Sequence, residues 1–320
     1  MKILVTGSAG FIGYHVSKYL LRNDYEVVGL DNFNDYYDVS LKEDRNKQLQ
    51  RFKHYTCYRI DLCDSRAVTE LFTQEKPDKI CALAAQAGVR YSLDHPHTYA
   101  QSNIVGFLNL LEACRHFEVS RCVYASSSSV YGGNTKLPFA ECDPVDTPVS
   151  LYAASKKANE LMAHCYTHLY GFQTVGLRFF TVYGPWGRPD MAMWLFTKAI
   201  LAGRPIKVFN HGDMQRDFTY VDDIVKGVVA SLEKEELDAY EVFNLGNHRS
   251  ENLLDLIGIV EKELGVEAQK ELLPMQMGDV KATYADVEKA RKKLDFEPST
   301  SIREGVPQFI AWYKKYHKVT

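Results

Sequence analysis

No stretch of the chain approaches the roughly 20 consecutive apolar residues that span a bilayer, so no membrane-spanning helix is expected. Excess positive charge is missing too. Lys and Arg number 38 against 41 Asp and Glu, a formal net charge of −3, which denies the chain the broad basic field that nucleic acid or an anionic membrane demands. Any anionic ligand must be held locally. Glycine (20) and proline (11) are too few among 320 residues for a fibrous or disordered protein. There is no C-x-x-C pair among the seven cysteines. Cys81, within Ile80-Cys81-Ala82-Leu83, lies in an apolar run where a free thiol behaves as a small hydrophobe, so reduced structural thiols and no metal are expected. Met1-Lys2 leads directly into the strand-like Ile3-Leu4-Val5-Thr6-Gly7 rather than the 7–15-residue apolar core of a signal peptide, which makes the cytoplasm the expected address.

What the chain does have is length for about two structural units and an ordinary globular balance, 46% hydrophobic and 25% charged. In its first half, β-branched runs at 3–5, 26–30, 55–60, 79–83, 121–125 and 174–177 alternate with helical spacing at 11–22, 65–74, 98–116 and 151–170. That alternation predicts βαβ units: an α/β fold with a doubly wound, Rossmann-like parallel sheet, whose ligands sit beyond the carboxyl ends of the strands. Past residue 180 the pattern loosens around Gly184-Pro185-Trp186-Gly187-Arg188-Pro189, and helices at 191–202, 253–264 and 302–316 are separated by irregular segments. A smaller, mixed C-terminal domain is expected. Val242-Phe243-Asn244-Leu245 reads as a strand returning to the sheet. The expected division is therefore a sheet domain over 1–180 with 215–248, and a second domain over 181–214 and 249–320.

Gly7-Ser8-Ala9-Gly10-Phe11-Ile12-Gly13 follows a strand and opens a helix, the context a dinucleotide fingerprint requires. Its glycines allow a tight turn, backbone approach to a pyrophosphate and close packing of helix on strand. Asp31 ends the second strand 18 residues beyond Gly13, where a carboxylate accepts hydrogen bonds from adenosine ribose hydroxyls and repels a 2′-phosphate. NAD is expected over NADP. Asp61-Leu62 after the third strand is the expected adenine-side contact.

Tyr152 and Lys156 are four residues apart in a helical stretch and therefore share a face. Lowering a tyrosine pKa by ~3 units takes ~4 kcal/mol, and a cation about 5 Å away at an effective dielectric near 20 supplies roughly 3 kcal/mol. Lys156, aided by the positive nicotinamide ring, is expected to make Tyr152 a base. Taken alone, Y-x-x-x-K is common on amphipathic helices; its position about 145 residues after a dinucleotide motif selects the functional reading. Upstream, Ala125-Ser126-Ser127-Ser128-Ser129-Val130-Tyr131-Gly132 places hydroxyls where substrate should lie, with Ser126 read as a residue that satisfies turn backbone groups.

Together, G-x-x-G-x-x-G, the strand-end Asp, the serine run and Y-x-x-x-K resemble the extended short-chain dehydrogenase/reductase family of nucleotide-sugar epimerases and dehydratases, over nearly the whole chain. The stretches 31–38, 84–92 and 179–191 are similar to those of its UDP-glucuronate 4-epimerases. That resemblance implies an isomerase that converts UDP-glucuronate and UDP-galacturonate through a 4-keto sugar, with NAD regenerated in each cycle. It implies Ser127, Tyr152 and Lys156 as the catalytic set. The cofactor contacts it implies are Gly7, Gly10, Phe11, Ile12, Gly13, Asp31, Asn32, Asp61, Leu62, Ala84, Ala85, Tyr152, Lys156 and Phe179, with Phe180 beside the nicotinamide. For the substrate it implies Arg90, Ser127, Ser128, Ser129, Tyr152, Thr181, Arg188, Arg216 and Asp279, Arg216 holding the UDP phosphates. The helices at 98–116 and 151–170 resemble the halves of a dimer-forming four-helix bundle, so a homodimer is expected.

Departures from sister families narrow the chemistry. The 4,6-dehydratases carry Asp-Glu where this chain has Ser128-Ser129, because eliminating water needs an extra acid and base. Decarboxylating UDP-xylose synthases keep Glu at the position of Ser129. UDP-galactose 4-epimerases have Asn in place of Thr181 and an Arg near Gln276, which makes UDP-glucose/UDP-galactose epimerisation the second reading. Ser128, Ser129 and Thr181 are the expected anchors of a C6 carboxylate, with Arg90 or Arg188 as charge partner. A non-catalytic NAD sensor would not need Tyr152 and Lys156, and a purely structural module has only the helix pair to recommend it.

Overall fold

The computed structural model describes residues 1–276 and 278–319. Its centre is a seven-stranded sheet built from β1 (Lys2–Thr6), β2 (Glu26–Leu30), β3 (Tyr55–Tyr58), β4 (Lys79–Ala82), β5 (Arg121–Ser127), β6 (Gln173–Phe179) and the strand Tyr240–Leu245. The spatial order is β3-β2-β1-β4-β5-β6, with Tyr240–Leu245 outside β6, and every pairing is parallel. Because helices cover both faces, β1 buries Ile3, Leu4, Val5 and Thr6 in succession instead of alternating. The order reverses between β1 and β4, and the crevice at that switch point receives the carboxyl ends of both. The register of β5 on β6 sets Ser127 opposite Phe179 at the same end.

The helices α1 (Phe11–Arg22), α2 (Val39–Leu49) and α3 (Ser65–Glu75) connect the first strands, and Leu151–Tyr170 packs on β5. Two of the helices lie outside the helical stretches expected from the sequence. Along α2 the buried residues are Leu41, Lys42, Arg45, Asn46 and Leu49, a face too polar to show an apolar period. Val221–Glu233, by contrast, buries Val221, Ile224, Val225 and Val228 against α1 and the sheet, a helix within 215–248, where the sequence reading marks only a returning strand.

The single helix expected at 98–116 is broken. A turn at Pro96–Tyr99 leads into a π-helical stretch, Ala100–Val105, before the α-helix Gly106–His116. Asn103 accounts for the break: it exchanges hydrogen bonds with Gln86 (2.8 and 3.0 Å), donates to Ser155 Oγ (2.9 Å), and offers its carbonyl to Asn159 Nδ2 (2.6 Å). The distortion ties the loop after β4 to the helix that carries Tyr152, consistent with the tendency of π-turns to mark functional sites.

Past β6, Met193, Trp194, Phe196, Leu256, Ile257 and Phe309 form an apolar cluster separate from those on the sheet. Full burial of each such side chain contributes about 1.5–3 kcal/mol. Trp186 packs against both this cluster and the one under the sheet, so the segment that carries Arg188 starts from the joint between them.

Candidate active site

A cleft of about 250 Å³ runs from the glycine loop to the segment around Arg188 and contains Tyr152 and Lys156. At one end the chain turns sharply after β1. Gly7 takes φ +71°, and a Cβ on Gly13 would stand 2.0 Å from the Gly7 carbonyl oxygen, so only glycine lets α1 start this close to the strand. The N-cap is Gly10, with no side chain over the first turn, which leaves the N–H groups of Phe11, Ile12 and Gly13 open to an anion. Asp31 is buried, and its carboxylate accepts from Ala9 N (3.1 Å) and Phe33 N (2.8 Å), fixing it at the end of β2.

Asn32 donates to Asp61 Oδ2 at 2.9 Å, and Cys63 N to Asp61 Oδ1 at 2.8 Å. Desolvation pushes the Asp61 pKa up, but these bonds outweigh it and hold the carboxyl below its ordinary range. Leu62, Ala84, Ala85 and Phe179 line the same cleft. The structure thus gathers every residue expected to touch the cofactor.

It adds two cations that sequence reading missed. Arg45, fully buried, donates to Ala9 O (3.0 Å), Tyr37 Oη (2.8 Å), Trp186 O (2.6 Å) and Gly187 O (3.0 Å), and its Nε has no partner. Lys42 lines the cleft and donates to the Asn34 carbonyl (2.9 Å) and side chain (2.6 Å). No carboxylate pairs with either among the described residues. Arg45 lies behind the lining and braces the glycine loop, whereas Lys42 faces the cleft with Asp31 and Asp35 near it; an anionic diphosphate beside an uncapped helix would further offset the cost of burying its charge. The residues fit NAD.

Tyr152 sits in the first turn of the helix Leu151–Tyr170, which Ser150 caps by accepting from Ala153 N at 3.1 Å. Burial raises the Tyr152 pKa, while a hydrogen bond with Ser127 and the charge of Arg188 lower it and Asp190 raises it. Lys156 lines the same cleft as Tyr152. Lys156 Nζ donates to the Ala125 carbonyl at 2.9 Å, and burial alone brings its pKa down to about 8. Its ammonium is anchored to the strand, and Arg188 adds a second cation whose charge lowers the Tyr152 pKa.

One turn further along, Glu160 accepts the Ser126 hydroxyl at 2.6 Å and pairs with Arg178 at 2.8 and 2.9 Å, all three residues being buried. Successive turns of the helix, at Tyr152, Lys156 and Glu160, therefore hold Ser127, Ala125 and Ser126 at the end of β5. Ser126 is pinned to the helix rather than satisfying turn backbone groups.

The residues expected on the substrate side divide. Ser127 and Arg188 line the cleft with Tyr152. Ser128 and Ser129 occupy the 3₁₀ turn Ser128–Tyr131 beside it, where Ser127 Oγ accepts from Ser129 N at 3.2 Å, and Thr181 starts a short strand; none of these three is part of the lining. Arg90, Arg216 and Asp279 form a separate group. Arg90 pairs with Asp279 at 3.0 Å and lies over the Phe209 ring, so it is not placed to meet a group beside Tyr152. Arg216 donates to the Gln215 and Lys281 carbonyls, and burial lowers its pKa against the pull of Asp279. Of the arginines expected on the substrate side, Arg188 is the one that lines the cleft with Tyr152.

Comparison with known proteins places these features in context. Residues 3–246 match the model of the NAD dependent epimerase/dehydratase family. Protein CapI of Staphylococcus aureus is 50% identical over 99% of this chain and 100% of its own. UDP-glucuronate 4-epimerase 4 of Arabidopsis thaliana is 48% identical over 98% of this chain and 76% of its own. The crystal structure of a UDP-glucuronic acid 4-epimerase from Bacillus cereus, in complex with UDP-glucuronic acid and NAD, superposes with a TM-score of 0.94 at 36% identity, covering 99% of this chain and all of that one.

Proposed function

The chain belongs to the NAD dependent epimerase/dehydratase family, and from that premise we propose that it is an isomerase that inverts C4 of UDP-glucuronate to give UDP-galacturonate. The observation that carries the reading is Arg188 beside Tyr152: the cleft offers a cation next to the base, where the C6 carboxylate of a 4-bound hexuronate falls. Tyr152 takes the proton of the sugar's 4-hydroxyl and returns it once the transient 4-keto sugar has turned its other face. Ser127 hydrogen-bonds the phenol and steadies the same oxygen. NAD, held by the glycine loop, the first turn of α1, Asp31 and Asp61, supplies the acceptor and later the donor of the C4 hydride. Lys156 fixes the helix to Ala125 and keeps positive charge near the phenol. Residues 128 and 129, being serines, provide no second acid or base for dehydration.

The assignment divides the chain into an NAD-binding part, 1–180 with 215–248, and a nucleotide-sugar part, 181–214 with 249–320. Arg90, Arg216 and Asp279 take the UDP end, and Ser128, Ser129 and Thr181 lie near C6. Leu108, Leu161 and Leu169 are exposed on the helices Gly106–His116 and Leu151–Tyr170, and a homodimer would cover them; sedimentation analysis reads that directly. No described helix is long and apolar enough to cross a membrane, and the free, buried Cys81, Cys114 and Cys122 suit a reducing cytoplasm.

Product analysis by NMR after incubation with UDP-glucuronate, UDP-glucose and UDP-xylose tests the reaction. UDP-galacturonate is expected as the main product; turnover of UDP-glucose alone would overturn the assignment. Denaturing the same preparation should release NAD.

A further inference from the structure

Two stretches of sequence that carry the uronate-epimerase resemblance meet at one hydrogen bond. Tyr36, from 31–38, donates its hydroxyl to Asp190 Oδ2 at 3.0 Å. Asp190, from 179–191, grips Arg188 side-on, with Nε to Oδ1 at 3.0 Å and NH2 to Oδ2 at 2.5 Å. Tyr36 and Arg188 both line the cleft that holds Tyr152. Room for the Tyr36 hydroxyl comes from Gly88, at φ +102°, where a Cβ would stand 2.7 Å from it. The Tyr36 ring is fixed edge-on to Tyr91, with centroids 4.7 Å apart.

A guanidinium offers two edges to carboxylates, one through Nε and one through NH1. Asp190 takes the Nε edge. That contact sets the plane of Arg188 and, by charge, offsets the cost of keeping it in the cleft, while the NH1 edge carries no hydrogen bond among the described residues. Tyr36 in turn holds Asp190. We infer that Tyr36 and Asp190 are positioning residues that orient Arg188 with its NH1 edge free for the C6 carboxylate, and so set the preference for a hexuronate over a neutral hexose; this rests on the hexuronate reading above.

Asp190→Ala removes both an anchor and a negative charge, whose effects on a bound carboxylate oppose each other. Tyr36→Phe removes the anchor alone and keeps the ring packing, so it is the cleaner probe. Binding titrations of UDP-glucuronate and UDP-glucose on the NAD-loaded enzyme should show Tyr36→Phe weakening UDP-glucuronate by about tenfold or more, the scale of a hydrogen bond to a charged group, with UDP-glucose within twofold of the parent. Added to Asp190→Ala, the same substitution should have no further effect, because it acts through that carboxylate. Equal weakening of both ligands by Tyr36→Phe would make Tyr36 a structural residue and overturn the inference. So would unchanged binding of both, or an effect that persists without Asp190. A parent enzyme that binds the two sugars equally overturns the hexuronate reading and this inference together, whereas a parent that discriminates while Tyr36→Phe changes nothing overturns only the inference.

Discussion

Lys156 Nζ and the carbonyl oxygen of Ala125 are 2.9 Å apart, in a part of the cleft where Lys156 is buried. The ammonium is therefore desolvated with one neutral acceptor, and its pKa falls from 10.5 to about 8. A lysine depressed on folding costs stability while it is charged in both states. That cost is full below about pH 8, shrinks as pH rises towards 10.5, and is gone above it. At neutral pH it is on the order of 3 kcal/mol. Lys156→Met should raise the melting temperature at pH 7, with the gain fading in unfolding curves taken between pH 8 and 10.5, while turnover falls. A variant that melts lower than the parent at pH 7 would show that the Ala125 bond outweighs the desolvation.

Tyr152→Phe removes one ionisable oxygen and leaves the ring against Tyr99. Turnover of UDP-glucuronate should fall about a thousandfold, within the range for loss of a general base, with binding of the nucleotide sugar within threefold. Steady-state rates and titration calorimetry check both. Near-normal turnover would hand the base role to another group.

Asp31→Ala should turn the enzyme away from NAD. The substitution deletes the ribose acceptor and relieves repulsion of a 2′-phosphate, but it also releases the amides of Ala9 and Phe33, so affinity for both nucleotides drops. The ratio is diagnostic: NAD over NADP should fall at least tenfold when binding is measured on enzyme stripped of nucleotide. A constant ratio would remove Asp31 from cofactor choice.

The sheet and its cofactor end were legible because β1, β2 and β4 to β6 are apolar runs between turn residues, and because glycine at 7, 10 and 13 leaves few other conformations. The anchors of the cofactor cleft were less so. Lys42 and Arg45 lie on a helix whose buried face is polar, and a buried cation looks like a surface one until its partners are seen. Tyr36 and Asp190 were inside recognised stretches, yet 154 positions separate them, and no local pattern announces a contact at that range. The Ala125 bond of Lys156 is illegible for a related reason: i,i+4 spacing shows that two side chains share a face, not which way an ammonium turns.

Oxidising C4 of a glucuronate creates a β-keto acid, which loses CO2 when the C5–C6 bond aligns with the ketone π system, so an epimerase must hold the carboxylate out of that alignment. Ser128, Ser129 and Thr181 stand next to the cleft but outside its lining, whereas Arg188 faces into it beside Tyr152. Anchoring should therefore depend most on Arg188. Charge-assisted bonds contribute roughly 1.5–3 kcal/mol each, enough to change the partition between epimerisation and decarboxylation by about tenfold or more. Arg188→Met should release more CO2 and UDP-4-keto-pentose per epimerisation than the parent, with Thr181→Ala and Ser128→Ala having smaller effects of the same sign. Its second consequence has a fixed direction: Arg188 lowers the Tyr152 pKa, so removing it should move the acid limb of the rate profile to higher pH. Substrate labelled at C6, with CO2 counted against UDP-galacturonate across a pH series, reads both. A partition equal to the parent's in all three variants would show that the carboxylate is restrained by something other than these side chains.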